Sequence, residues 1–210
     1  MIKIAPEGWP FIAGAVILTL IVFIFLRNWG VAVPVVLVLF MLFFFRDPDR
    51  VISQDKGIFV SPADGKVIVI KDVFEDRYLK KNARQISIFM SPFNVHVNRS
   101  PVEGNVVDVI HTKGGFKAAY KDSASISNEN TVMILESEYG KIVVRQVAGF
   151  IARRIVCRVK PGDKLLTGQR YGIIKFSSRV DIFLPEGVET TVSLGDSIKA
   201  GETIIARVKK

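Results

Sequence analysis

The 210-residue chain has a single cysteine, Cys157, and only two histidines, His96 and His111. One thiol excludes a disulfide framework and a thiolate metal cluster, and it suits a domain facing a reducing compartment. Two histidines leave no His-rich metal site, so no metal is expected. A glycine-rich phosphate cradle, a nucleic-acid motif and low-complexity tracts are missing as well. Charge is absent from two stretches near the start: residues 10–26 and 29–45 contain no Asp, Glu, Lys or Arg.

Each of those 17-residue runs would make a helix of about 25 Å, a little short of a hydrocarbon core of ~30 Å. Arg27, Asn28, Trp29 and Gly30 lie between them and suit a tight turn at a membrane surface. Residues 1–50 are therefore expected to form a membrane anchor, a hairpin of two hydrophobic helices. With only Lys3 and Glu7 charged before the first run, a cleaved signal peptide is the poorer reading. A monotopic, re-entrant hairpin is the alternative that the short runs leave open. The exit Arg46-Asp47-Pro48-Asp49-Arg50 assigns the following domain to the cytoplasmic side of the cell membrane.

The chain carries a net charge of +9, and its first 50 residues hold four basic and three acidic side chains, which leaves +8 on the remainder. A basic domain tethered to a bilayer is drawn to anionic lipid headgroups, by about 1 kcal/mol for each nearby Lys or Arg. Lipid is thus the expected partner, and nucleic acid is not.

From Gly57 the pattern turns to short β-type runs: 58–60, 66–70, 85–90, 131–135, 141–147, 171–176 and 180–184. Asp64-Gly65, Glu103-Gly104, Tyr139-Gly140, Pro161-Gly162 and Glu186-Gly187 punctuate them as turns. The fold class expected for residues 51–210 is mainly β (α+β), a compact antiparallel domain, with a short helix near Phe116 to Lys121. Ser61 to Val67 reads as the entry of a barrel-sandwich hairpin, and Leu194 to Ile204 as its return half. No lysine stands at an exposed hairpin tip between them, so a carrier function does not follow.

The chemistry gathers around Phe176-Ser177-Ser178-Arg179-Val180-Asp181, about 30 residues from the C-terminus. This segment resembles the self-processing site of the phosphatidylserine decarboxylases, in particular their short form. Four more blocks are similar to family segments and stand in the family's order. They are Ser61 to Lys66, Met90 to Arg99 around His96, Ser127-Asn128-Glu129-Asn130, and Gln146 to Ile155.

The resemblance implies a proenzyme that cuts itself between Ser177 and Ser178, giving chains 1–177 and 178–210 that stay together as a heterodimer. Ser178 becomes a pyruvoyl group, the covalent, self-generated cofactor, which would form a Schiff base with phosphatidylserine and release phosphatidylethanolamine. Decarboxylating an amino acid leaves a carbanion that needs an electron sink, and a ketone made from serine supplies one without a separate cofactor site. A serine hydroxyl is a poor nucleophile without a base. His96, with an ordinary pKa near 6.5, suits that role, and Asp64 is expected to orient or charge-stabilise it. Arg99 and Arg179 are candidate contacts for the substrate carboxylate or phosphate.

Three departures from the family pattern stand out. Ser177 occupies the position of a family glycine, which tolerates strained backbone better. Arg99 stands where longer members have a second histidine, and Asn130 stands where the family usually has arginine. An archaetidylserine decarboxylase, a membrane-anchored Ser/Lys protease and a non-catalytic barrel-sandwich module are the alternative readings.

Overall fold

The structure is a computed structural model that describes residues 2–26, 29–53, 55–115, 128–149, 154–176 and 178–209. The expected Arg27-Asn28 turn, the helix near Phe116 to Lys121, and Ser127, Arg153 and Ser177 lie outside these residues. The chain divides into two compact units, residues 1–49 and 50–210.

In the first unit, strand β1 (Ile2–Ile4) is followed by helices α1 (Trp9–Leu26) and α2 (Ala32–Phe44) and by strand β2 (Arg46–Pro48). The 20 residues from Pro6 to Phe25 have a mean hydropathy of 2.3, long and apolar enough to cross a membrane. Thr19, the polar side chain of α1, turns its hydroxyl back onto the Ala15 carbonyl at 2.8 Å, which spares it an unmet bond. The second helix is shorter than the sequence promised. Its 13 residues span about 20 Å, well below a hydrocarbon core, because Trp29–Val31 is taken into a 3-10 turn. An unforeseen clasp closes the hairpin: β1 and β2 pair antiparallel, Ile2 opposite Pro48 and Ile4 opposite Arg46. Gly8 permits the closure, since a Cβ there would meet the Phe45 ring at 2.5 Å.

The second unit contains β3 (Ile58–Val60), β4 (Gly65–Glu75), β5 (Lys81–Met90), β6 (Val97–Arg99), β7 (Gly104–Thr112), β8 (Asn130–Ser137) and β9 (Gly140–Ala148). It continues with β10 (Ile155–Cys157), β11 (Lys164–Leu165), β12 (Arg170–Ile174), β13 (Ser178–Pro185), β14 (Val188–Thr190), β15 (Ser197–Ile198) and β16 (Ile204–Val208). The mainly β, antiparallel expectation holds. Eight strands form one sheet in the order β11-β7-β8-β9-β13-β5-β4-β15, flanked by the small sheets β10-β12-β6 and β14-β16-β3.

The core follows from alternation along the central strands. Ile86, Ile88 and Met90 of β5, Val180, Ile182 and Leu184 of β13, and Ile142, Val144 and Ala148 of β9 share one buried cluster, each large aliphatic contributing roughly 1.5–3 kcal/mol. The residues between them face the other side, where Ala83, Val132, Ile134, Val143 and Phe183 form a smaller cluster. Because β13 is buried on both faces, its charged residues must pair within the protein. The two hairpin halves foreseen around Ser61 and Leu194 do meet. Ser197 and Ile198 pair with Lys66 and Gly65, and Ser61 exchanges main-chain bonds with Thr203 and Gly201 at 2.8 Å.

Candidate active site

Ser178 is the first residue of β13 and is fully buried. It lies opposite Met90 of β5 on one side and Ala148 of β9 on the other. Its hydroxyl donates to the Met90 sulfur at 3.5 Å. Two residues upstream, Phe176 has φ = 65°, a left-handed conformation that costs a non-glycine residue about 1–3 kcal/mol. Backbone strain of the kind that glycine tolerates therefore falls on Phe176, close to the serine.

The histidine block reaches this place through β6. The Ile174 N–H, near the end of the segment leading to Ser178, donates to the His96 carbonyl at 3.3 Å, and β6 pairs with β12. The His96 ring is fully buried, with Nδ1 at 3.0 Å from the Asn94 carbonyl. A carbonyl can only accept, so Nδ1 carries the proton and Nε2 is the basic nitrogen. Asn94 is itself locked, its side-chain oxygen accepting both the N–H and the hydroxyl of Ser91 at 2.8 Å.

Asp64 sits beside this block. The Pro62 carbonyl accepts the Arg99 N–H at 3.0 Å, which ties the Asp64 loop to β6. The carboxylate itself takes two bonds from Nη2 of Arg50, at 3.1 and 2.8 Å, and the Ala200 N–H at 2.8 Å. The observed orienting acceptor at His96 Nδ1 is thus the Asn94 carbonyl, while Asp64 is joined to a buried arginine that the sequence reading did not single out. Gly65 fixes the loop, since a Cβ there would stand 2.1 Å from the Phe89 carbonyl oxygen.

Arg99 and Arg179 are both buried in the framework. Arg99 donates to the Gly168 carbonyl at 3.0 Å. Arg179 lies on the sheet face opposite Ser178, as adjacent strand residues must, donating from Nε to Asp181 at 2.6 Å and from Nη2 to Ser87 at 2.9 Å. Asn130 donates to the Asn128 carbonyl at 2.9 Å, and Asn128 to that of Ala148 at 2.7 Å, so the block resembling the family's Asn-Glu-Arg segment braces the residue opposite Ser178. His111 bonds Thr131 at 3.0 Å on β7, away from Ser178.

Three residues at the site went unnoticed as individuals: Met90, Asn98 and Gln146. Nε2 of Gln146 donates to Oδ1 of Asn98 at 2.8 Å, and Nδ2 of Asn98 reaches the Met90 sulfur at 3.8 Å. Gly172 leaves room for this pair, because a Cβ there would meet Nε2 of Gln146 at 3.0 Å. All three lay inside the quoted blocks; what the sequence did not reveal is that β5, β6 and β9 bring them to one point. The surface cavity of about 740 Å³ lined by Tyr78, Lys81, Tyr139 and Pro185 lies at the far end of β13 and plays no part in this arrangement.

Comparison of the sequence with known proteins points to one family. The phosphatidylserine decarboxylase family profile matches residues 37–206. Proteins called phosphatidylserine decarboxylase proenzyme include one from Nitrosomonas eutropha, 45% identical over 98% of this chain and 95% of its own, and one from Geotalea uraniireducens, 48% identical over 96% and 95%. Another, from Desulfotalea psychrophila, is 43% identical over 99% and 97%. The chain belongs to the phosphatidylserine decarboxylase family.

Proposed function

We propose that this family member is a proenzyme that cuts itself before Ser178 and then decarboxylates phosphatidylserine to phosphatidylethanolamine at a membrane surface. The observation that carries the reading is the position of Ser178: a buried hydroxyl at the first residue of a central strand, two residues beyond a strained backbone. A cut there leaves the pairing of β13 with β5 and β9 whole, because that pairing begins at Ser178. The relatives' lengths support the short form, since alignments of about this chain's length cover 95% of them.

In the first step the Ser178 oxygen attacks the carbonyl carbon of residue 177. The O–C bond forms, the C–N bond breaks, and the hydroxyl proton passes through a base to the freed amine. Nε2 of His96 is the assigned base, its ring oriented by the Asn94 carbonyl, and Asp64, paired with Arg50, braces the neighbouring loop. Loss of the Cα proton of residue 178 then breaks the Cβ–O bond and releases the carboxylate of residue 177. Reprotonation at Cβ makes a methyl group, and water replaces the nitrogen as ammonia to leave a ketone. The site fits that product: Ser178 faces a thioether and aliphatic core residues, which receive a methyl without an unmet bond. The resulting pyruvoyl group supplies the electron sink for the departing carboxylate. We assign His96 to returning a proton to the substrate carbon.

Arg154 is exposed, and its carbonyl accepts the Lys175 N–H at 3.2 Å, one residue beyond the bond from Ile174 to His96. It is better placed than Arg99 or Arg179 to meet an anionic headgroup. We assign the hairpin of α1 and α2 to holding the domain on the cytoplasmic face of the membrane.

Mass spectrometry of the purified chain tests the reading. It is expected to show a C-terminal fragment of 33 residues, 178–210, with a pyruvoyl end; an intact chain in active preparations overturns it. His96→Gln, which retains a side chain able to donate to the Asn94 carbonyl, is expected to slow self-cleavage about 10²- to 10⁴-fold in a time course of intact mass. Arg154→Glu is expected to raise KM for phosphatidylserine vesicles several-fold, in line with about 1 kcal/mol per charge at a lipid surface.

A further inference from the structure

The Ser178 hydroxyl must be held before the cut, yet the oxygen that it holds out is gone afterwards. Whatever faces it has to suit both states. Met90 stands directly across from Ser178 in the β5–β13 register, and its sulfur accepts the hydroxyl at 3.5 Å. Both residues are fully buried, so bulk water does not compete for that bond.

We propose that Met90 is a positioning residue for self-cleavage, fixing the Ser178 hydroxyl before the cut and seating the methyl that replaces it. This rests on the reading of Ser178 as the self-cleaving nucleophile. A thioether sulfur is a weak acceptor, so it orients the O–H without binding the proton, which stays available to a base. A carboxylate or amide at the same place would hold the hydroxyl more tightly. It would then be left buried against a methyl group, with the cost of an unmet polar atom. Sulfur is soft enough to pack against either neighbour.

The sulfur is itself held in place. Nδ2 of Asn98 lies 3.8 Å from it and 3.5 Å from the Pro62 carbonyl, and Oδ1 of Asn98 accepts from Gln146 at 2.8 Å. Met90, Asn98, Gln146 and Ser178 come from four different strands and are all buried. A methionine serving only as flexible filler would not need two amides lined up behind its sulfur.

The test uses full-length chain made in a timed translation reaction, with loss of the intact 210-residue species followed by mass spectrometry. Met90→Leu keeps volume and apolarity but offers no acceptor, and swaps of this kind usually leave a core intact. It is expected to slow self-cleavage roughly three- to tenfold, the range of one lost hydrogen bond. The same change placed in a Ser178→Ala chain, which has no hydroxyl to hold, is expected to leave the melting temperature within a few degrees. Cleavage of Met90→Leu at the wild-type pace overturns the inference. So does a melting temperature that collapses in the Ser178→Ala chain, since Met90 would then be a packing residue. A wild-type chain that stays intact overturns the self-cleavage reading itself, and this inference with it.

Discussion

With Ser178 replaced by alanine, the purified chain is expected to migrate as one 210-residue species and to have no measurable decarboxylase activity. No other single change should have so large an effect, because in the proposed route one residue supplies both the nucleophile for the cut and the carbon of the reactive ketone. The substitution is also structurally mild. Alanine removes one buried hydroxyl that bonds a thioether, and a methyl against Met90 and the surrounding aliphatic residues is well accommodated. The Ser178→Ala chain should therefore fold and melt at or slightly above the temperature of the wild type. Loss of function without loss of folding separates a chemical role from a structural one. Borohydride treatment of the cleaved wild type, which reduces a ketone, should abolish activity in the same way. Activity that survives either treatment would mean that the chemistry lies elsewhere.

The second large effect concerns stability. Arg179 and Asp181 pair at 2.6 Å with almost no exposure, on the face of β13 that turns away from Ser178. Asp181→Ala leaves the arginine charge buried beside Ser87 without its carboxylate, a change that typically costs about 3–5 kcal/mol. For a domain of this size the melting temperature should fall by roughly 10 °C or more. The measurement is best made in the Ser178→Ala chain, so that a single covalent species unfolds. Replacing both partners with apolar residues, Arg179→Met with Asp181→Leu, is expected to recover most of the loss. Were Arg179 a substrate contact, the double change made in a chain that keeps Ser178 would raise KM sharply. A framework role predicts KM close to wild type.

That pair also shows where sequence reading stops. Arg179 reads from the sequence as a candidate contact for the substrate carboxylate or phosphate, yet it faces away from the neighbouring Ser178, since consecutive strand residues point to opposite faces. The strand expected over 180–184 implies the separation once Ser178 is counted into the same strand. β7 was missed for a different reason. Its register shifts between Val106 and Asp108, and such a bulge breaks the period-two pattern by which a strand is read. The Asp64–Arg50 bonds and the Ser178–Met90 contact depend on pairing between segments 14 and 88 positions apart, which local periodicity does not encode. The second apolar run was legible as a helix but not in its length. The motifs carry more, since they single out His96, Asp64 and Ser178 without showing what surrounds them. Their chain neighbourhood was legible; their spatial neighbourhood was not.

The segment from 178 onward begins with a strand lodged between β5 and β9, and it continues through β16, which pairs with β3. Removing it would mean unzipping the middle of the largest sheet. A chain cut before Ser178, as proposed, would keep its small fragment locked in that sheet, so damage to the reactive end would retire the whole molecule.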